Sequence, residues 1–148
     1  MELLGLIETR RGEGTFLKTY RTFRTVELLS AFILHEHKTR DEIISCRTII
    51  EKEAVKLAFK VMKKDVIEEL QTTIDKSQQD EEQRYYSFFI IIFEKADNFL
   101  LQKIWMLLDD FSRSIKETYY MKQFYIRLLN AFSHNEYEDI ELIFEQAK

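Results

Sequence analysis

The chain has 148 residues, 45% apolar and 32% charged, with a formal net charge of −4, which is enough for one domain with a real core and too little for two. It contains no proline and three glycines, Gly5, Gly12 and Gly14, where average usage would give about seven and about ten. The lack of both from Thr15 to Lys148 argues against an all-β sandwich or barrel and against long linkers, and leaves an all-α domain as the expected class.

In chain order, Glu2-Leu3-Leu4-Gly5 reads as the last turn of a helix closed by a glycine. Leu6-Ile7-Glu8-Thr9-Arg10 and Thr15-Phe16-Leu17-Lys18 are short β-prone runs. Between them, Arg11-Gly12-Glu13-Gly14 supplies residues free to take positive φ, as a hairpin requires. Two strands alone are marginal in water, so the hairpin is expected to need a support that this sequence lacks. After Lys18, Arg21 and Arg24 the apolar period becomes 3.6, and Val26, Leu29, Phe32 and Ile33 mark a short helix. Thr39-Arg40-Asp41-Glu42 reads as a capping box opening a long amphipathic helix, with Ile43, Ile50, Ala54, Leu57 and Val61 on its apolar face. Asp65-Val66-Ile67-Glu68 reads as a second capping box, with Ile67, Leu70 and Ile74 inside and the polar stretch Ser77 to Glu82 at the end. The stretch Tyr85 to Phe93 is aromatic and β-branched, and periodicity alone does not separate buried strand from buried helix there; with no turn residues around it and helical patterns on both sides, a central helix is expected over about 82–95. Asp97-Asn98 caps the next helix, where Leu101, Ile104, Trp105, Leu108 and Phe111 form a wide apolar face. Two more follow over about 120–133 and 136–147, separated by Ser133-His134-Asn135. The pattern predicts an antiparallel bundle of about seven helices preceded by a β-hairpin.

Other classes fall on the same evidence. The longest uninterrupted apolar run, Phe88 to Phe93, is far short of the ~20 residues that span a bilayer. Met1-Glu2-Leu3-Leu4 has an acid where a signal peptide carries basic residues, so an intracellular, cytoplasmic protein is expected. Cys46 is the only cysteine, which precludes an internal disulfide, and its helical setting makes it packing filler rather than a nucleophile. Residues 1–24 carry five basic and three acidic side chains, residues 25–148 carry 17 and 23. Only the N-terminal stretch has a charge suited to nucleic acid, and the excess is small. No Gly-x-Ser-x-Gly or phosphate-binding glycine loop is present. Glu81-Glu82 and Asp109-Asp110 are neighbours pointing about 100° apart on a helix, hence solvated faces rather than acid/base pairs, and no enzyme is expected.

Several motifs carry a family resemblance. Leu4-Gly5-Leu6-Ile7-Glu8-Thr9-Arg10-Arg11-Gly12-Glu13-Gly14-Thr15-Phe16-Leu17 resembles the end of the winged helix-turn-helix of GntR-family bacterial transcription regulators. The segment Arg47-Thr48-Ile49-Ile50-Glu51-Lys52-Glu53-Ala54-Val55-Lys56-Leu57-Ala58 resembles the Arg-x-x-x-Glu-x-x-Ala-x-x-Leu-Ala helix of the FadR-like (FCD) effector domain. Phe88 followed by Asn98-Phe99-Leu100-Leu101, and Leu128-Leu129-Asn130-Ala131 before Asn135-Glu136, resemble later helices of that domain in the same order.

The resemblance implies a remnant of a winged helix-turn-helix over residues 1–18 and a helical effector-binding and dimerisation domain over 19–148. It implies a homodimer that meets operator DNA through a complete DNA-binding module. Here Arg10, Arg11, Gly12 and Gly14 would supply only the wing, because no recognition helix precedes Met1. Many domains of this family hold a divalent metal with one Asp and three His, a set that falls here on Tyr85, Phe89, Tyr125 and Ala147. No metal or other cofactor is therefore expected. His35, His37 and His134 lie elsewhere and read as surface residues. Tyr85, Phe88, Phe89, Phe93, Trp105, Phe124 and Tyr125 would crowd the interior, either as a ligand-free core or as a pocket for an apolar or acyl/carboxylate effector. In the pocket reading Arg47, Tyr85, Phe89 and Tyr125 are the effector-binding residues. Arg47 otherwise forms an i,i+4 ion pair with Glu51. The expected function is ligand sensing and dimerisation in a GntR/FadR-like regulator. The alternative is a helical dimerisation or protein-interaction module with no small-molecule ligand and no DNA binding.

Overall fold

The computed structural model describes residues 7–10, 14–17, 37–76, 80–114 and 119–147. Two four-residue strands, β1 (Ile7–Arg10) and β2 (Gly14–Leu17), pair antiparallel with Ile7 opposite Leu17 and Arg10 opposite Gly14. Six helices follow: α1 (His37–Phe59), α2 (Lys64–Asp75), α3 (Glu81–Ala96), α4 (Phe99–Ser114), α5 (Lys122–His134) and α6 (Asp139–Glu145). The count is six among the described residues where about seven were expected. The expected short helix at Val26 to Ile33, the helix tail at Glu2 to Gly5, and Arg11 and Gly12 of the wing lie outside them.

Helix α1 is the centre of the bundle and packs against α3, α4 and α6, while α2 packs against α3 and α5. Its buried stripe is Arg47, Glu51, Ala54, Val55 and Ala58, with spacings of four, three, one and three residues that keep all five on one face. This corrects the expected face. Ile50 is half-buried, but Leu57 and Val61 are exposed. Small side chains at Ala54, Val55 and Ala58 let the neighbouring helices approach closely, so the larger aliphatic groups of α1 end on its flanks. Cys46 is exposed rather than packed, so its role as core filler is overturned.

Helix ends depart from the expected capping boxes in two places. Thr39 lies inside α1, which already runs from His37. The cap of α2 is Lys63, whose side chain makes no capping hydrogen bond, and Asp65 sits in the first turn, where its charge faces the positive end of the helix dipole. Elsewhere the chemistry is as local rules require. Asp80 accepts a hydrogen bond from the Gln83 backbone N–H at 2.8 Å to start α3, and Asn98 accepts from Leu101 at 3.0 Å to start α4. Asp97 and Asn135 close α3 and α5 in the left-handed region, at φ 51° and 59°. That conformation is tolerated by Asp and Asn where glycine is lacking.

Candidate functional site

The interior is built on α3. Tyr85, Phe88, Phe89, Ile92 and Phe93 have essentially no exposed surface, nor do Trp105 of α4 and Tyr125 and Leu128 of α5. The rings meet in tilted, edge-on and stacked arrangements: Tyr85 lies 5.1 Å from Phe89, Phe88 lies 4.9 Å from Tyr125, and Phe93 stacks on Trp105 at 4.7 Å.

A carboxylate lies among these rings. Glu51 has no exposed surface and is met from four parts of the fold. Arg47, one turn earlier on α1, brings its Nε within 3.4 Å of Oε1. The Tyr85 hydroxyl of α3 donates to the same oxygen, as does the Trp105 indole of α4 at 3.1 Å. The Tyr120 hydroxyl, just before α5, donates to Oε2 at 2.6 Å. The indole also reaches the Tyr85 oxygen at 3.0 Å, and the Arg47 guanidinium lies 5.3 Å from the centre of the Tyr85 ring. Burial pushes the Glu51 carboxyl above its ordinary range, against the pull of Arg47 and the three hydrogen-bond donors. Burial, then the Glu51 charge, holds the Tyr85 and Tyr120 phenols protonated well beyond neutral pH.

A second buried acid adjoins this centre. Asp109 is 1% exposed, which corrects its reading as part of a solvated face. Its Oδ2 receives Arg113 Nε at 2.9 Å and Nη2 at 2.8 Å, and Arg113 continues to Glu82 at 3.1 Å. Burial raises the Asp109 carboxyl, partly offset by Arg113 and Arg47. Tyr119 is pushed up to about 12 by burial and by the Asp109 and Glu82 charges.

The structure thus brings Arg47, Tyr85, Phe89 and Tyr125 into one interior region, while Ala147 lies half-buried beyond α6. The Tyr125 hydroxyl is buried with no hydrogen-bond partner. The donor set does not suit a transition metal. Phe89 and Ala147 have no ligating atoms, the Tyr85 phenol is engaged with Glu51, and among the described residues no three His, Cys, Asp or Glu side chains gather. His134 is exposed, its Nδ1 donating to the Asn130 carbonyl at 2.9 Å. The sequence pointed to Arg47 and the rings but missed Tyr120 and Asp109 as polar partners. Their neighbours in the chain give no periodic signal that would have set them apart.

No family model matches the sequence, and no curated protein is similar to it. The fold is similar to the crystal structure of a transcriptional regulator, a GntR family member from Pseudomonas syringae pv. tomato str. DC3000, with a TM-score of 0.57 at 15% sequence identity. The similarity takes in 99% of this chain and 62% of that one, so the chain spans less than two thirds of the regulator's length. Among the described residues no helix is long and apolar enough to cross a membrane.

Proposed function

We propose that this chain is the ligand-sensing and dimerisation part of a GntR/FadR-like transcription regulator, acting by binding rather than by catalysis. In this reading residues 1–18 are the end of a winged helix-turn-helix, with Arg10, Arg11, Gly12 and Gly14 in the wing, and 19–148 form the FCD-like domain. The observation that carries it is the fold likeness to a GntR-family regulator over 99% of the chain. The interior supports a sensing role. Arg47, Tyr85, Phe89 and Tyr125 share one aromatic region, and a buried hydroxyl without a partner there is the kind of group a ligand completes. Dimerisation is supported by exposed aliphatic and aromatic side chains on two helices, Ile49 and Leu57 of α1 and Phe99 and Leu100 of α4. Operator recognition then belongs to the complete regulator, in which an effector shifts the balance between two placements of the paired wings.

Titrating apolar carboxylic acids and acyl thioesters against the melting temperature tests the sensing part, since a ligand that binds only the folded state raises it saturably. A saturable rise with at least one member of the series is the expected result; no rise with any member contradicts it. One feature favours the second reading, a helical interaction module without a ligand: Glu51 already engages the Tyr85, Trp105 and Tyr120 donors. Under that reading no compound shifts the melting temperature and the particle is still a dimer.

A further inference from the structure

We infer that the surface groove between the start of α5 and the end of α6 is a binding site for an aliphatic monocarboxylate, its head on Arg127 and its tail on Phe124, Ile143 and Ala147. The inference rests on the sensing reading and places the ligand outside the buried centre. The groove has a volume of about 380 Å³ and is lined by Tyr119, Met121, Phe124, Arg127, Ile143 and Ala147, with two glutamines. That volume is within the range of small-molecule sites.

Its charge selects the ligand. Among the described residues, Arg127 is the one cationic side chain in the lining; it is half-buried and makes no ion pair with them. Among the described residues no acidic side chain lines the groove. A guanidinium beside apolar walls favours an anion with an apolar body, and it holds a carboxylate through two parallel hydrogen bonds. Helical side chains lean toward the N-terminus, so the Arg127 stem inclines toward the first turn of α5. The cap residue there, Met121, provides no side-chain hydrogen bond to the free backbone N–H groups. By contrast, the groove of about 430 Å³ beside α2 and α3 carries both Glu69 and Lys76, and no charge preference follows from it.

The groove is also placed to influence the interior. Tyr119 lies 4.9 Å from the Tyr85 ring, and Phe124 stacks on Tyr120 at 3.9 Å. Tyr85 and Tyr120 are the two phenols that donate to Glu51. A ligand tail against Tyr119 and Phe124 therefore touches the outer rings of a packed pair of contacts whose inner rings hold the buried carboxylate. Trp105, the only tryptophan, donates to that same carboxylate and reports on it.

The test is a titration of the 148-residue chain with butyrate, hexanoate and octanoate, read by Trp105 fluorescence and by melting temperature, with 1-octanol and octylammonium as head-group controls. Affinity should rise about fourfold per added methylene. It should fall at least about tenfold in Arg127→Gln, which keeps a polar side chain of similar length at this half-buried position and whose folding is checked by its melting temperature without ligand. Octylammonium should not compete with octanoate. Equal octanoate affinity in wild type and Arg127→Gln, or equal binding of octylammonium, overturns the groove. If in addition the octanoate effect is lost in Tyr125→Phe, the ligand sits in the interior and the sensing reading survives. If octanoate binds nowhere while other acids still raise the melting temperature, the groove fails alone; if no acid does so, both fail.

Discussion

A carboxylate without exposed surface, met by a guanidinium, two phenols and an indole, depends on all of its partners at once. Losing one member of a buried pair costs about 3–5 kcal/mol, whereas replacing the whole pair by apolar groups of similar size is often neutral. Glu51→Ala should therefore destabilise the fold by about 3–5 kcal/mol, and Arg47→Met with Glu51→Met should recover most of that loss, as measured by urea denaturation. Equal losses in the single and double variants would show that the charges are not coupled. The pH dependence follows from the raised Glu51 carboxyl. Between the unfolded value of 4.5 and the higher folded value the native state binds the extra proton, so stability from this group is full below 4.5 and falls as pH rises through the folded value. On lowering pH from neutral toward about 5, wild type should gain melting temperature relative to Glu51→Gln. A relative loss would reverse the assignment. At this scale the sequence offered Arg47–Glu51 as an i,i+4 pair from helical spacing, and the aromatic residues as interior from the family resemblance. Asp109 was misread as solvated because adjacency to Asp110 says nothing about which of the two faces inward, and Arg113, one turn on, is what makes its burial tolerable.

The helices themselves were largely readable from the sequence: α3, expected over about 82–95 from the lack of turn residues and the flanking helices rather than from its period, runs Glu81–Ala96, and α4 starts where Asn98 was expected to cap it. What periodicity did not set was rotation. On α1 the large aliphatic residues suggested one face, but the buried face carries Ala54, Val55 and Ala58, and a central helix with neighbours on several sides is packed by what fits between backbones. Capping boxes are similarly ambiguous. Asp65 satisfied the pattern, yet α2 begins before it at Lys64, so the same acid acts on the dipole instead of on a backbone N–H. The Asn98 cap, in contrast, makes its bond to Leu101. Asn98→Ala should cost about 1 kcal/mol by chemical denaturation, and a change below about 0.3 kcal/mol would mean that the bond is replaced by solvent at no cost.

For the molecule as a whole, the elements form a bundle whose likeness to a GntR-family regulator was already suggested by ordered motifs, Gly12-Glu13-Gly14-Thr15-Phe16 before an all-helical stretch and the Arg47 to Ala58 helix after it. Of the four positions on which the resemblance placed a metal set, Tyr85, Phe89 and Tyr125 are buried rings and Ala147 is half-buried, and a glutamate on α1 gathers the polar contacts. The surface has unburied apolar side chains on α1 and α4 that a second copy would cover, Phe99 at 73% exposure foremost. The proposal of a paired sensing domain is tested most directly by multi-angle light scattering of the purified chain at tens of micromolar. A particle of twice the chain mass, converted toward monomer by Phe99→Glu with Leu100→Glu, is the predicted result; a wild-type monomer at that concentration would contradict it.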